Sequence, residues 1–244
     1  MVEAKEYLSP GCIQMMMSNN NSIAELIEVT KVYPHSERDM AALNKVSFKA
    51  NPGELVLLLG PSGSGKTTML TILAGLLKPS SGEVTIFGHN VLEYSLTDLQ
   101  KMRAKKMGFI FQTFYLLDSL KVLDNVMLVM RFAGIPKKEA RKHAIECLER
   151  FGIEHLMNAY PSTLSQGEKQ RVAVTRAIAN GARLIIADEP TGSLATQQGV
   201  MIVEFLKESV KSDGLCVIIA SHDERIATYA DRVLQLHDGS LIVP

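Results

Sequence analysis

The sequence predicts an α/β domain with a parallel core sheet, an antiparallel β subdomain towards its N-terminal side and a helical insertion near residues 92–162. Three observations predict it. A fully apolar strand runs into a glycine-rich loop and then a helix, residues 24–49 alternate like antiparallel strands, and residues 95–160 are mainly helical in pattern. With 244 residues, 46% of them apolar, the chain is long enough to bury such a core.

The composition argues against several classes of protein. Lys plus Arg equals Asp plus Glu at 26 each, so the net charge provides no field for binding nucleic acid. The three cysteines are odd in number, far apart and without metal-ligand spacing, which favours reduced thiols in the cytoplasm. No stretch approaches the roughly 18 apolar residues of a spanning helix. Residues 1–22 have no sustained period and lack the pattern of a secretory signal, so we expect a flexible N-terminal extension.

A glycine-rich loop at residues 60–68 lies between the apolar strand 55–59 and the helix-compatible segment 69–74. Its glycines allow backbone N–H groups to surround phosphate oxygens at the positive end of a helix. A turn that binds nothing is the alternative, but the spacing G-x-x-x-x-G-K-[ST] between a strand and a helix favours a nucleoside triphosphate site. Lys66 is predicted to reach the outer phosphates, and the Thr67 hydroxyl to bind Mg²⁺. The predicted binding residues are Gly60, Pro61, Ser62, Gly63, Ser64, Gly65, Lys66, Thr67 and Thr68.

Two antiparallel strands are predicted before this loop, at about residues 26–33 and 43–49, as a hairpin across residues 34–40. Tyr33, which ends the first strand, fits either a half-buried strand aromatic or a ring that stacks on adenine. A turn at residues 51–53 leads into the strand that feeds the loop. After the helix, a turn at residues 78–82 precedes a strand at 83–87.

The helical insertion is predicted to begin at a cap at residues 95–98 and to contain an amphipathic helix at 136–151. A short strand at residues 108–112 interrupts it and ends in Gln112. The apolar run Phe114 to Leu117 follows this strand. Such a run is compatible either with the core or with a docking surface for another protein.

The second half of the chain supplies carboxylates at the end of a buried strand. A helix begins near Ser165, whose spacing to Glu168 is that of a capping box and needs no other purpose. The apolar strand 184–187 then delivers Asp188 and Glu189. Two adjacent carboxylates at the end of a buried strand are costly unless they meet a cation or a water molecule. Asp188 is therefore predicted to hold Mg²⁺, and Glu189 to act as the general base.

The remaining chain is predicted to form a helix at residues 197–210, a buried strand at 216–220 and a final hairpin from 233–237 and 240–243. His222 follows the buried strand. A lone histidine there is often only a surface group, but several strand ends converge on one phosphate site, so we interpret His222 as a γ-phosphate contact.

The ordered motifs resemble those of the ATP-binding cassette family from about residue 23 onwards, so residues 23–244 are expected to form one such domain. The resemblance implies a P-loop NTPase fold with a RecA-like core sheet, and ATP and Mg²⁺ as ligands. It also implies that a signature motif at residues 164–168 contacts the γ-phosphate bound to the opposite subunit. The matched residues are Tyr33 for adenine stacking, Gly60 to Thr68 for Walker A, Gln112 for the metal and attacking water, Ser165, Gly167 and Glu168 for the signature, Asp188 for Walker B, Glu189 for catalysis and His222 for the switch position.

Two departures from the family pattern stand out. Gln166 and Glu168 replace a glycine and a glutamine of the usual signature, while Ser165 and Gly167 remain, so we expect this motif to function. Ala195 stands where the family loop ordinarily has an aspartate that helps to couple the two sites. The resemblance therefore implies slower or less cooperative hydrolysis.

Residues 109–117, 122–126 and 189–194 resemble the group that includes lipoprotein-releasing and macrolide-exporting transporters. This implies an ATPase that forms an ATP-dependent homodimer, or pairs with another ATPase subunit, on the inner face of the cell membrane. It would drive a separate integral membrane permease docked near Phe114 to Leu117. Competing interpretations are a non-hydrolysing regulatory or assembly module, compatible with Ala195, and a nucleic-acid-associated ATPase. The latter predicts a long coiled-coil insertion that the sequence lacks, so no nucleic-acid partner is expected.

Overall fold

The computed structural model describes residues 22–34, 40–192 and 196–242. The predictions for the extension before residue 22 and for Ala195 lie outside these residues. The strands are β1 (Ala24–Tyr33), β2 (Met40–Ala50), β3 (Leu55–Leu59), β4 (Ser81–Ile86), β5 (His89–Asn90), β6 (Met107–Phe111), β7 (Leu184–Asp188), β8 (Cys216–Ser221), β9 (Arg232–His237) and β10 (Ser240–Ile242). The α-helices are α1 (Lys66–Leu73), α2 (Leu96–Lys106), α3 (Val122–Phe132), α4 (Lys137–Arg150), α5 (Gln166–Ile178) and α6 (Thr196–Asp213).

The larger sheet has six strands in the order β10-β9-β3-β8-β7-β6. All neighbouring pairs are parallel except β9 and β10, which form the predicted final hairpin. Central strands buried on both faces read as continuous apolar runs, and β3 and β8 are buried along their whole length. The α/β fold with a parallel core is therefore confirmed.

The smaller sheet is antiparallel, in the order β2-β1-β4-β5. β1 pairs with both β2 and β4, so the predicted pairing of the first two strands is confirmed. The turn predicted at residues 78–82 is partly wrong, because Ser81 already pairs with Thr30 and belongs to β4. Phe87 was predicted to continue this strand, but its φ of 51° takes the backbone out of it.

Two apolar layers cover the larger sheet. Along β3, Val56 and Leu58 face a cluster that includes α1 and the smaller sheet, while Leu55, Leu57 and Leu59 face a cluster that includes α6. This alternation follows from the two-residue period of a strand. The core sheet is thereby held rigid between the layers, which fixes the positions of its strand ends.

The helices α3 and α4 form a separate apolar cluster with part of α5. A polar and aromatic joint connects α4 to α6. The Arg150 guanidinium donates to Asp213 at 2.8 Å and to the Ser212 hydroxyl at 3.2 Å, and the ring centroids of Phe151 and Phe205 lie 3.7 Å apart. The helical region therefore contacts the core through side chains as well as through its chain connections.

Helix boundaries differ from prediction at two places. α1 begins at Lys66 itself, so the lysine and the threonines that follow lie in its first turn. α6 runs to Asp213, beyond the predicted end at residue 210, and Gly214 follows with a φ of 66°. Among the described residues, no helix is long and apolar enough to span a bilayer.

Candidate functional site

The ends of four core strands lie along one edge of the sheet. Leu59 of β3 pairs with Ser221 of β8, and Asp188 of β7 pairs with Ala220 on one side and with Phe111 of β6 on the other. The chain positions that follow these ends carry the predicted site: the glycine-rich loop, His222, Glu189 and Gln112. Parallel strands present their carboxyl ends at one edge, which is why separate motifs meet there.

The loop wraps into α1 with two glycines in the left-handed region. Gly63 has a φ of 82°, and Gly65, the residue before α1, has a φ of 106°. A Cβ on Gly65 would lie 2.3 Å from the Ala42 carbonyl oxygen, so β2 packs directly against the loop and only glycine fits. The Lys66 ammonium folds back and donates to the carbonyl oxygens of Gly60 at 2.6 Å and Pro61 at 3.0 Å.

The donor set of this edge fits a magnesium-bound triphosphate. The Ser64 hydroxyl is buried and has no hydrogen-bond partner among the described residues, which leaves it available to a ligand oxygen. The Thr67 hydroxyl donates to Asp188 Oδ2 at 2.9 Å, so a hydroxyl and a carboxylate already meet. Mg²⁺ is usually held by one or two such groups together with substrate phosphates and water. In the described ranges no three His, Cys, Asp or Glu side chains cluster to hold a metal.

Asp188 carries an electrostatic cost in the protein without ligand. Burial raises its pKa above the usual range, and the Glu189 carboxylate raises it further, while the Thr67 hydroxyl and the Lys66 ammonium lower it. A folded-state pKa above the unfolded one means that ionising Asp188 destabilises the fold. This loss of stability develops as pH rises through the interval between the two pKa values, and is complete above the folded-state pKa.

We therefore expect Asp188→Asn to raise the melting temperature of the ligand-free protein at neutral pH, because asparagine keeps the Thr67 contact without a buried charge. The same change should abolish the stabilisation that MgATP gives beyond ATP in EDTA. Thermal melts with and without nucleotide measure both effects, and Asp118→Asn, at an exposed loop position, is the matched control. An unchanged response to MgATP would contradict the assignment of a metal ligand.

The carboxylate of Glu189 is held by the end of β8. Its Oε1 lies 2.9 Å from His222 Nδ1, and the Ser221 hydroxyl donates to its Oε2 at 3.3 Å. The backbone of Glu189 has a φ of 49°, and its N–H donates to the Ala220 carbonyl at 2.9 Å. A non-glycine residue in this region is strained and is often found at a functional site. Ser221 was not among the residues predicted from the sequence, although its place beside His222 at a strand end was the available signal.

Gln112 and Tyr33 lie at the margins of this edge. A Cβ on Gly192 would lie 3.2 Å from the Gln112 amide nitrogen, so Gln112 approaches the turn that follows Glu189. Tyr33 is 40% exposed and lies outside the buried core, and the Lys31 ammonium is 5.3 Å from its ring centroid. It ends the strand that pairs with β2, the strand whose Ala42 contacts the loop. The exposure of the ring argues against a core role and leaves adenine stacking as a prediction.

The signature residues form a second location. Ser165 caps α5, and its hydroxyl accepts a hydrogen bond from the Glu168 N–H. In return, Glu168 Oε2 accepts hydrogen bonds from the Ser165 hydroxyl at 2.7 Å and from the Ser165 N–H at 2.8 Å. The bonds from Ser165 lower the pKa of Glu168. Gly167 and Arg171 line a pocket of about 150 Å³ with these residues. Within the described part of the chain, no hydrogen bond or ion pair joins this group to the loop at residues 60–68.

The apolar run after Gln112 divides between two environments. Phe114 is buried, whereas Tyr115 is 64% exposed, and Tyr115 and Leu117 line a cavity of about 290 Å³. This cavity adjoins one of about 720 Å³, and together they form the lateral groove. The groove is lined by apolar residues of β6 and α3, by Leu76 and, from α2, by Thr97, Gln100, Lys101, Arg103 and Ala104. Phe114 therefore fits the core interpretation, while the exposure of Tyr115 and Leu117 leaves the docking surface as a prediction for those residues.

The chain is similar to known proteins over most of its length. A family profile described as "ABC transporter" matches residues 43–192. The chain is 40% identical over 217 residues to "Putative hemin import ATP-binding protein HrtA" of Staphylococcus haemolyticus (strain JCSC1435), covering 89% of this chain and 98% of that protein. It is 38% identical over 221 residues to "Macrolide export ATP-binding/permease protein MacB" of Salmonella typhi, covering 91% of this chain but 34% of that longer protein.

Solved structures share the fold. The chain is 39% identical to the ATP-binding cassette MJ0796, whose dimeric post-hydrolysis state was solved with ADP and Pi, at a TM-score of 0.83 over 90% of this chain and 97% of that one. It is 31% identical to cbiO1 from Clostridium perfringens, part of the transporter complex cbiONQ, at a TM-score of 0.81 over 91% and 88% of the two chains.

Proposed function

We propose that this chain, which belongs to the ABC transporter family and is an ATP-binding, ATP-hydrolysing subunit, powers a separate membrane permease as one of a pair of such subunits. The observation that carries the proposal is the convergence of strand ends at one edge. Thr67 meets Asp188 at 2.9 Å, and His222 meets Glu189 at 2.9 Å. The four groups are drawn from α1, β7 and the residues after β7 and β8, as a preorganised site requires.

Phosphate binding is assigned to the loop at residues 60–68. Lys66 would exchange its two carbonyl acceptors for phosphate oxygens, and the N–H groups of the loop and the start of α1 would donate to the others. Thr67, Asp188 and Gln112 would hold Mg²⁺, which supplies charge neutralisation on the phosphates. The exposed ring of Tyr33 would stack on adenine.

Activation of water is assigned to Glu189. Its contacts with His222 and Ser221 fix the carboxylate at the sheet edge, where it can accept a proton from a water molecule. His222 Nδ1 contacts the carboxylate, which leaves the other ring nitrogen for the γ-phosphate. Hydrolysis thus depends on positioned charges rather than on a covalent intermediate.

A second copy would complete the site. Ser165, Gly167 and Glu168 lie at the positive end of α5 and, among the described residues, make no hydrogen bond to the loop of their own chain. An N-terminal helix end favours anions. The cassette MJ0796, which resembles this chain, was solved as a dimer. An ATP-dependent homodimer, or a pair with a related ATPase subunit, would place each α5 against the other subunit's triphosphate.

The lateral groove is proposed as the docking site of the permease. Among the described residues, the charged side chains that line it are Lys101, Arg103 and Arg176, with no Asp or Glu. Arg103 and Arg176 donate to backbone carbonyl oxygens, and in the described part of the chain no hydrogen bond is present for Lys101. Burial lowers the pKa of both arginines. An apolar groove with uncompensated cations suits an amphipathic segment that carries carboxylates. The proposed occupant is a cytoplasmic acidic segment of the permease.

Charge reversal at Lys101, an exposed lining residue, tests this docking. We expect Lys101→Glu to weaken binding to membrane vesicles, taken from cells that naturally make the chain and stripped of peripheral proteins, by about tenfold or more. Hydrolysis of MgATP in solution should be unchanged, because Lys101 lies outside the catalytic edge. The control is Lys138→Glu, at an exposed α4 position outside the groove. Equal binding of the two variants, or equal binding to protein-free liposomes of the same lipids, would contradict a permease at this groove.

The finer assignment follows the residues shared with the macrolide-exporting group. We propose an exporter or lipid-releasing system, with the chain held at the inner face of the cell membrane through its permease. The relative named for hemin import favours the opposite direction. Substrate movement in inverted vesicles that contain the permease would separate the two, since an exporter fills them and an importer empties them.

The domain assignment is also a proposal. Residues 23–244 would form one ATP-binding domain with a helical subdomain near residues 92–162. The separate apolar cluster of α3, α4 and part of α5 supports this division. A non-hydrolysing regulatory module and a nucleic-acid-associated ATPase are less well supported, because relatives at 38–40% identity are named as transport proteins.

A further inference from the structure

Gln170 of α5 is fully buried, with 0% of its surface exposed. Its amide nitrogen donates to the Pro190 carbonyl oxygen at 2.5 Å, while its amide oxygen is buried and has no hydrogen-bond partner among the described residues. The neighbouring residues on the helix, Val172 to Val174, are buried and apolar. The amide is therefore a fully buried polar group that is only partly satisfied.

Stability alone does not account for this amide. A buried acceptor without a partner costs about 1–3 kcal/mol, and this cost opposes the stabilisation that the bond to the Pro190 carbonyl provides. A methionine would fill the same space without the unsatisfied oxygen. Each such group in a native structure calls for a specific explanation, and here the contact that it makes supplies one.

The bond to Pro190 fixes the backbone on one side of Glu189. On the other side, the Glu189 N–H donates to the Ala220 carbonyl at 2.9 Å. After Pro190, the Gly192 N–H closes the turn by donating to the Glu189 carbonyl at 3.2 Å. Glu189 itself has a φ of 49°. A residue with such a strained backbone keeps its conformation only when the surrounding contacts hold it there. The hydrogen bond from Gln170 is the contact that α5 contributes.

The other end of the connection lies on the same helix. Gln170 follows the Ser165 cap by little more than one helical turn, so it moves with the N-terminal end of α5. In the proposed function this end contacts the triphosphate held by the second copy. Glu189 serves the site of its own chain. The amide of Gln170 therefore links the end of α5, which serves the site of the second copy, to Glu189, which is the general base in the site of its own chain.

We propose that Gln170 is a positioning residue for hydrolysis. Through its buried amide, the position of Glu189 depends on whether α5 of the same chain contacts the MgATP that is bound to a second copy. This inference rests on the proposed function. It offers a link between the two sites that does not need the aspartate replaced here by Ala195. Gln170 touches no reacting atom and acts through the backbone of the Glu189–Pro190 pair.

The first test replaces Gln170 by methionine, which keeps the volume and removes the donor. We expect kcat to fall about tenfold, equivalent to about 1.4 kcal/mol, with the Kd for MgATP and the melting temperature nearly unchanged. Gln170→His, which restores an N–H donor, should recover part of kcat. The control is Thr175→Val, a buried position on α5 whose hydroxyl bonds only within the helix. If the methionine variant does not fold, Gln170→Leu takes its place in the comparison with histidine.

The second test is a double-mutant cycle with Glu189→Gln under single-turnover conditions. If Gln170 acts through Glu189, Gln170→Met should add little to the loss caused by Glu189→Gln. Equal fold-losses in both backgrounds, or an unchanged kcat in Gln170→Met, would overturn the inference. These outcomes differ from a failure of the proposed function, in which the wild-type protein itself would neither bind nor hydrolyse MgATP.

Discussion

Glu189→Gln is expected to reduce MgATP hydrolysis by about 100-fold or more, because a general base contributes roughly 10²–10⁴ to such a reaction. Glutamine keeps the size of the side chain and can still accept from the Ser221 hydroxyl, so the fold and nucleotide affinity should remain. The blocked protein should then accumulate as a dimer with MgATP, since the step that ends the closed state is lost. Inorganic phosphate release and size-exclusion chromatography with nucleotide measure the two effects.

Two further variants make this test specific. Glu224→Gln, an exposed carboxylate shortly after His222, should leave hydrolysis unchanged. Ala195→Asp restores the residue that the family pattern has, and we expect hydrolysis to become more cooperative in ATP rather than to appear for the first time. A wild-type rate equal to that of Glu189→Gln would instead favour a module that binds ATP without hydrolysing it.

Lys66→Met is expected to remove most of the affinity for ATP, by about 100-fold, because a charge-assisted contact to phosphate is lost and the loop has no second cation to replace it. The Lys66 side chain is buried, and its hydrogen bonds among the described residues go to the carbonyl oxygens of Gly60 and Pro61, so methionine should not unfold the protein. Equilibrium titration with a fluorescent ATP analogue measures affinity, and the shift of melting temperature with ATP provides a second measure.

Lys142→Met is the matched control, because that lysine is 82% exposed on α4 and pairs only with Glu146. Its ATP affinity should equal that of the wild type. If Lys66→Met bound ATP within a fewfold of the wild type, the assignment of the loop at residues 60–68 as the triphosphate site would be wrong.

Local signals in the sequence were sufficient for most of the fold. The capping box at Ser165 and Glu168, the buried runs of β3, β7 and β8 and the final hairpin all depend on neighbouring residues, and all are present as predicted. The exact limits of β4 and α6 were not predictable in this way. They depend on pairing with Thr30 and on a turn at Gly214, which tertiary contacts decide.

For the site, too, predictions could be made where they depended on local sequence signals, and could not be made where they depended on distant contacts. The glycine-rich loop, Asp188, Glu189 and His222 could be recognised because each motif has a fixed spacing and stands at a strand end. Ser221 and Gln170 could not, since their roles come from hydrogen bonds to residues 32 and 20 positions away. The run from Phe114 to Leu117 could not be divided into core and surface, because positive φ values at Phe114 and Tyr115 turn adjacent side chains in different directions.

The joint between α4 and α6 has a mechanical consequence. The Arg150 guanidinium donates to Asp213 and Ser212 at the carboxyl end of α6, and the Phe151 ring packs against Phe205 nearer the middle of that helix. Because side chains at two levels of α6 hold it to α4, we expect a rotation of α4 to carry α6 with it, so that the two helices turn as one unit.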